Sequence, residues 1–491
     1  RLFNIFDTFG RSANKYNPTK ILIYVSFYFG STSLAYIAYM VNRQAPVQRD
    51  GSLFLFMANN IANGQNPYWA SFETKNPLVE YYWALFIKLF NNTHLILSTR
   101  LAETVYCLLT AFIFFALSNR LLKTTKIGEH QRLIASGLAS ALLSFLLLNS
   151  KINDTGFNIS QYQPLVEALC LLAALSFFKK PNTQKAIFFG ITVYLCWFTK
   201  QTSLIAISLP LLAILLTNKL NATTFKQLLV AITTCLLLLL LFILSLHYAG
   251  TLDNYILSTF SYKASFLNKE NFIDPISATT QIFLSAFNTP ISVTNFHAYT
   301  LVTTALFFPV FLLDVYHAIK NYQSCPAHRK IRIIAYLWLA GSILQACISL
   351  TFFRHYFISA IAPSLLVFTT LLSANRERFT SIVGVFITLL VLLVPHYHLN
   401  KSLIIDMYKN APINYSVSQL AKLIPVDKKV FVWGGLAHYH VFMEKESDYP
   451  QNMWWPYILE TTNKAETNKT LQSTFKGNSP DYFIEFFETY S

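Results

Sequence analysis

The sequence predicts an α-helical polytopic membrane protein of about eleven transmembrane helices, with a small α/β domain outside the membrane at its C-terminal end. Three observations carry that expectation. Of 491 residues, 54% are hydrophobic and 12% charged, with 43 Phe and 27 Tyr, a balance that a soluble chain of this length does not show. Apolar runs able to cross roughly 30 Å of hydrocarbon recur at 20–41, 93–118, 132–149, 163–178, 185–199, 202–217, 227–249, 297–317, 332–352, 356–373 and 380–397. Finally, half of the 38 Lys and Arg residues fall in the short loops that these runs place on one side, among them Arg120, Lys123, Lys126 and Arg132.

The positive-inside rule puts those loops and the N-terminus in the cytoplasm, and an odd span count puts the C-terminal tail outside. The formal charge of +15 is then a topology signal, and nucleic acid is not an expected partner. All six cysteines lie in expected spans or a cytoplasmic loop, so none staples the outside parts. The first span has no small-residue cleavage site behind it and reads as an uncleaved anchor.

A transmembrane part is expected over residues 1–398, with long outside loops at 42–92 and 250–296, and an outside α/β part over 399–491. The first loop reads as a helix from about Gly51 to Ala62 stopped by "NGQNP", a turn through "KNP", and a second helix "LVEYYWALFIKLF". Both helices are too short to span and rich in Phe, Leu, Tyr and Trp, the pattern of helices lying on the membrane surface. In the tail, "KKVFVWGG" and "PDYFIEFF" read as short strands.

Asp50 is an isolated acid at the outer mouth of the first span. It can act as an N-cap for the helix that follows, and such an acid can still accept a proton from a hydroxyl. Lys75, in "FETKNPLVE", is either a snorkelling interfacial lysine or an anion ligand, with Glu73 beside it. Arg354 and His355 in "TFFRHYF", and Lys200 in "CWFTKQTSL", face the same side. Cations there run against the positive-inside bias, and a lipid phosphate is the obvious anion to meet them. Glu167 enters the fourth span from that face as a partner for one of these cations or as a second acid. Arg100 and Glu103, three apart on one helical face, read as an internal structural pair. His396/His398 and His438/His440 would each point both rings one way on a strand, but no third ligand of obvious type accompanies them.

One carboxylate among several cations fits attack by a hydroxyl or amine on a sugar carried by a polyprenyl phosphate. The acid takes the nucleophile's proton, and the cations hold the leaving phosphate. No cofactor is required, and a divalent metal is not indicated. The alternatives are a transporter or flippase for lipid-linked saccharides, and a ligase or polymerase working from a diphosphate carrier.

The first loop resembles that of the GT-C membrane glycosyltransferases, the superfamily of protein O-mannosyltransferases and lipid A aminoarabinose transferases. The pieces that carry the resemblance are Asp50, Gly64-Gln65-Asn66-Pro67-Tyr68 and Lys75-Asn76-Pro77, with "STRLAETV", "RHYFISAIAPSLL" and "VFVWGGLAHYHVF" further on. The resemblance implies an inverting glycosyltransferase of a bacterial inner membrane, working at the extracytoplasmic face. A polyprenyl-phosphate-sugar would be its donor and a glycan, lipid or protein its acceptor. Asp50 would be the catalytic base and Lys75 the phosphate ligand, helped by Arg354 and His355. The chain departs from many relatives at Gly51, where they carry a second acid, and at Glu73, one place from where the aminoarabinose enzymes carry a glutamate.

Overall fold

The computed structural model describes residues 49–71, 73–90, 94–125, 127–148, 156–218, 221–261, 326–347 and 354–374. In the tail it describes 422–425, 427–433, 437–445, 447–449 and 472–485, with a few single positions elsewhere. The described chain is mostly helical. Helix α1 is Arg49–Ala62, α2 Leu78–Leu89, α3 Leu95–Leu122, α4 Glu129–Leu147, α5 Gln163–Lys179, α6 Thr183–Thr199 and α7 Ser203–Leu216. Then come α8 Ala222–Tyr248, α9 Leu252–Ile256, α10 Pro326–Cys347 and α11 Ile361–Ala374, with 3-10 turns at Ile159–Tyr162 and Arg354–Ala360 leading into α5 and α11.

The expected spans at 93–118, 132–149, 163–178, 185–199, 202–217, 227–249, 332–352 and 356–373 all fall on these helices, α3 to α8, α10 and α11. Those at 20–41, 297–317 and 380–397 lie outside the described residues, apart from single positions, as do most of 250–296 and the pair His396/His398. Three of the described helical segments, Leu95–Leu122, Ile159–Lys179 and Ala222–Tyr248, are long and apolar enough to cross a membrane. Helix α8 makes the environment plain: it presents Leu229, Ile232, Leu236, Leu240 and Leu244 outward, and only Thr224, Ala231, Phe242 and Leu246 are buried. A leucine face of that extent belongs in hydrocarbon.

The core of the bundle joins α3, α4, α5, α7, α10 and α11 through Phe114, Leu143, Leu171, Phe177, Trp338 and Leu365. A second core lies at one end of these helices. There α1 and α2 meet the tail, with Phe56, Trp83, Tyr162, Val430, Val432 and Tyr439 in one cluster.

Helix α1 corrects one expectation. It is buried on every side from Gly51 to Asn60, so it does not lie on a membrane surface with one face in lipid. The reason is that the tail covers its outer face, with the His440 ring 4.7 Å from that of Phe56. A helix apolar most of the way round needs such a cover. Helix α2 keeps the expected character in inverted form. Its inner face holds Glu80 and Trp83, while Tyr81, Leu85 and Leu89 are exposed.

The two expected strands form as β1 (Val430–Trp433) and β2 (Tyr482–Glu485), paired in parallel with Val430 opposite Tyr482. His438 and His440 are not on a strand. They belong to a short helix, α12 (His438–Phe442), where a two-residue step turns the rings to different sides. The His438 ring Nε2 meets the Val47 carbonyl at 3.0 Å. From the end of the same segment Glu444 Oε1 accepts the Leu95 N–H at 2.8 Å, capping α3. Gln65 Nε2 donates to the Ser447 carbonyl at 3.0 Å. The tail thereby fastens the α1–α2 segment and the start of α3.

Candidate functional site

Asp50 is the second residue of α1 and is exposed, while the chain is buried from Gly51 onward. Because the helix begins at Arg49, Asp50 lies inside the first turn and is not the N-cap that the sequence suggested. An acid in that turn is still favoured by the helix dipole.

Lys75 stands in the turn between α1 and α2. Its ammonium is 3.2 Å from Glu73 Oε1 and 4.4 Å from the centre of the Phe54 ring, with 17% of the side chain exposed. The same Glu73 oxygen accepts the backbone N–H groups of Thr74 at 2.8 Å and Lys75 at 3.0 Å. Glu73 therefore shapes the turn and holds the lysine at once. Burial pulls the Lys75 ammonium down, but the carboxylates of Glu73 and Asp50, with Tyr356, outweigh it and hold the ammonium above the ordinary lysine range. Lys75 stays charged, and Asp50 is near enough to act on it.

The turn itself is bolted in place. Tyr68, in the left-handed region at φ 63°, donates its hydroxyl to the Lys75 carbonyl at 2.5 Å. Asn76 Nδ2 donates to the Trp197 carbonyl at 2.7 Å, and its Oδ1 accepts the Tyr255 hydroxyl at 2.9 Å. Residues from α6 and α9 thus fix the backbone that carries Lys75, the kind of rigid support a binding group needs.

Lys200, at the end of α6, is buried. Its ammonium donates to Ser160 Oγ at 2.9 Å and lies 4.3 Å from the centre of the Tyr356 ring. Tyr356 thereby touches Lys200 and acts electrostatically on Lys75, linking the two cations. It follows Arg354 and His355 in the turn Arg354–Ala360, which packs against α10 and against the turn Ile159–Tyr162. That places the backbone of Arg354 and His355 beside the same cluster, while their side chains lie outside the described groups. Glu167, in the first turns of α5, lies within electrostatic reach of the Lys200 ammonium. Its Oε2 accepts the indole N–H of Trp338 at 3.0 Å, from α10. Arg100 and Glu103 form the expected internal pair at 3.0 Å.

An apolar pocket of about 170 Å³ lies between α2, α3, α5 and α6, lined by Leu78, Val79, Tyr82, Tyr106, Leu165 and Leu195 among others. Its lining includes Leu78, three residues after Lys75 in the chain, and Thr199, next to Lys200.

Two residues here were not singled out from the sequence: Tyr356 and Glu80. Glu80 is fully buried in α2, and neither carboxylate oxygen has a hydrogen-bond partner among the described residues. Burial, and then the nearby Glu73 carboxylate, push it well above the usual carboxylate range. A raised acid takes up a proton on folding, so its stability contribution is full below the unfolded value of about 4.3 and is lost as pH rises toward the folded value. In wild-type protein the unfolding midpoint is therefore expected to fall from about pH 5 to pH 7, by up to about 1.4 kcal/mol per unit, and in Glu80→Gln that component vanishes. Thermal unfolding in detergent across this range measures it. A parallel pH dependence in the two proteins counts against a protonated Glu80.

Fold and site together define a mostly helical protein with helices long and apolar enough to cross a membrane, in which Asp50 and Lys75 lie in and after the first described helix and Lys200 at the end of α6, near an apolar pocket. No protein-family model matches the chain, and no curated protein sequence matches it. Among solved structures it is similar to the Archaeoglobus fulgidus oligosaccharyltransferase in complex with zinc and sulfate, at 13% identity and a TM-score of 0.47, over 84% of this chain and 62% of that one. It is similar also to ArnT from Cupriavidus metallidurans bound to undecaprenyl phosphate, at 13% identity and a TM-score of 0.43, over 84% of this chain and 74% of that one. A third, the archaeal oligosaccharyltransferase AglB from Archaeoglobus fulgidus with an inhibitory peptide and a dolichol-phosphate, has a TM-score of 0.40 at 13% identity, over 85% of this chain and 64% of that one. The chain thus spans about two thirds of the length of these proteins.

Proposed function

We propose that the protein is an inverting glycosyltransferase that moves a sugar from a polyprenyl-phosphate donor to an acceptor at the extracytoplasmic face of a bacterial inner membrane. The observation that carries this reading is that an exposed carboxylate, Asp50, acts electrostatically on the mostly buried ammonium of Lys75, three residues before Leu78 of the apolar pocket. The isoprenoid chain lies in the pocket, and its phosphate sits at Lys75, with Lys200, Tyr356, Arg354 and His355 on the far side. Asp50 takes the proton of the acceptor hydroxyl or amine as its oxygen or nitrogen bonds to the anomeric carbon. The bond from that carbon to the phosphate oxygen breaks, and the electron pair leaves on the polyprenyl phosphate, which Lys75 stabilises. This sequence needs no metal and no cofactor. Glu73 orients Lys75, and Glu167 serves the packing of α5 on α10.

The deciding experiment is donor chemistry. Membranes containing the protein, incubated with a polyprenyl monophosphate sugar and a crude envelope acceptor, are expected to release polyprenyl phosphate. Movement of the intact lipid-linked sugar between leaflets, without release, would instead mark a flippase. Turnover restricted to diphosphate donors would mark a ligase or polymerase.

A further inference from the structure

Gly156 and Phe157 both lie at positive φ, 89° and 55°. For phenylalanine that conformation is strained, so the surroundings must impose it. Two residues of α3 do so. The Phe157 N–H donates to Glu103 Oε1, and the Arg100 guanidinium carbon lies 3.7 Å from the centre of the Phe157 ring. The pair is closed by the 3.0 Å contact of Arg100 Nη1 with Glu103 Oε2. Trp83 supports the ring from the other side, edge-on at 5.7 Å. Gly156 leaves the guanidinium its space, since a Cβ there would stand 1.8 Å from Arg100 Nη1.

All three groups are buried, with Arg100 at 1%, Glu103 at 2% and Phe157 at 1% exposure. Arg100 Nε and Nη2 have no hydrogen-bond partner among the described residues. A buried ion pair with unmet donors is an expensive way to gain stability. The use that its geometry fits is to hold Phe157 in place.

What rests on Phe157 is the start of α1. A Cβ at Gly51 would be 3.0 Å from Phe157 Cβ and 3.7 Å from its carbonyl oxygen, so the backbone of α1 sits directly on this residue and a side chain there would have to displace it by a few tenths of an ångström. The next residue toward the N-terminus is Asp50. We infer that Phe157, anchored by Arg100 and Glu103, is a positioning residue that sets the place of Asp50 over the donor site. This rests on Asp50 being the base. It also accounts for Gly51: a second acid at that place would collide with Phe157.

The test is a cycle of Gly51→Ala, Phe157→Gly and the double variant in full-length protein, with thermal unfolding as a check on folding. A shift of a few tenths of an ångström at a general base is expected to lower kcat about tenfold in Gly51→Ala, with the donor KM unchanged. In the Phe157→Gly background the added Gly51→Ala change is expected to cost less than about twofold, because the collision is gone. An equal loss in both backgrounds, or a raised donor KM at unchanged kcat, overturns the inference. If Gly51→Ala does not fold, Arg100→Lys is read the same way. It keeps the charge beside Glu103 but not the flat group on the Phe157 ring, and lowers kcat about threefold or more at constant donor KM if the inference holds. Unchanged kcat, or a donor KM that rises in step, overturns it. Asp50→Asn is assayed alongside: an active Asp50→Asn removes the base itself, whereas an inactive one with an uncoupled cycle removes only the positioning role.

Discussion

Asp50→Asn is expected to reduce transfer by roughly a hundredfold to ten-thousandfold, the usual contribution of a positioned general base, while donor binding survives. The substitution is nearly isosteric, and the side chain it alters is exposed, so the buried run from Gly51 to Asn60 keeps its packing. Lys75 loses one of its two carboxylate neighbours but keeps Glu73 at 3.2 Å. It therefore remains charged and in place. Removing a negative charge beside a phosphate site is expected to leave donor affinity equal or slightly higher, which separates a lost base from a damaged pocket. Turnover, binding of polyprenyl phosphate and the unfolding midpoint, measured on one preparation, check all three statements. Near-normal turnover would end the role of Asp50.

The helices were largely legible because each apolar run of the right length has one way to satisfy its backbone in hydrocarbon. The two strands of the tail were legible for a related reason: a four-residue β-branched and aromatic run between Gly, Pro and charges has few other places to go. Some of the misreadings depended on a partner far away in the chain, and others on a local helix boundary. Helix α1 looked interfacial because nothing local announces that His440 of the tail packs on Phe56. Glu167 was read as a cation's partner, and Lys200 does act on it, but the indole that it also meets, Trp338, is 171 residues away and had no local signal. His438 and His440 looked like strand residues because two-residue spacing was read without the short helix that contains them. The start of α1 was missed by two residues, Arg49 in place of Gly51, which was enough to move Asp50 from cap to first turn. Glu80 was passed over because an acid in "LVEYYW" reads as the wet face of a surface helix. The helix is inverted: its acid is inside, and Tyr81, Leu85 and Leu89 are out. Asp50 and Lys75, by contrast, stood out in the sequence through their position relative to a span, before any contact was known.

Lys75→Met is expected to weaken binding of polyprenyl phosphate by about ten- to a hundredfold, the range for loss of one charge-assisted hydrogen bond of roughly 1.5–3 kcal/mol. Methionine is the sharper substitution than alanine, because its unbranched stem still covers the Phe54 ring that the lysine lies over. The loss has two parts. The phosphate loses its cation, and Glu73 and Asp50 are left facing it without the charge that neutralised them. The second part can be separated: adding Glu73→Gln to Lys75→Met removes one of those charges and is expected to recover several-fold of the lost affinity, whereas a lysine that merely props the turn would leave the double variant worse than the single. Glu73→Gln can keep its oxygen as the acceptor for the Thr74 and Lys75 N–H groups, so the turn itself survives. Binding of polyprenyl phosphate and of the uncharged polyprenol, compared by competition in detergent, gives the readout. The phosphate should lose its preference in Lys75→Met while the polyprenol is unaffected. Equal losses for both lipids, or unchanged affinity for the phosphate, would place Lys75 in the scaffold and leave the pocket without its anion site.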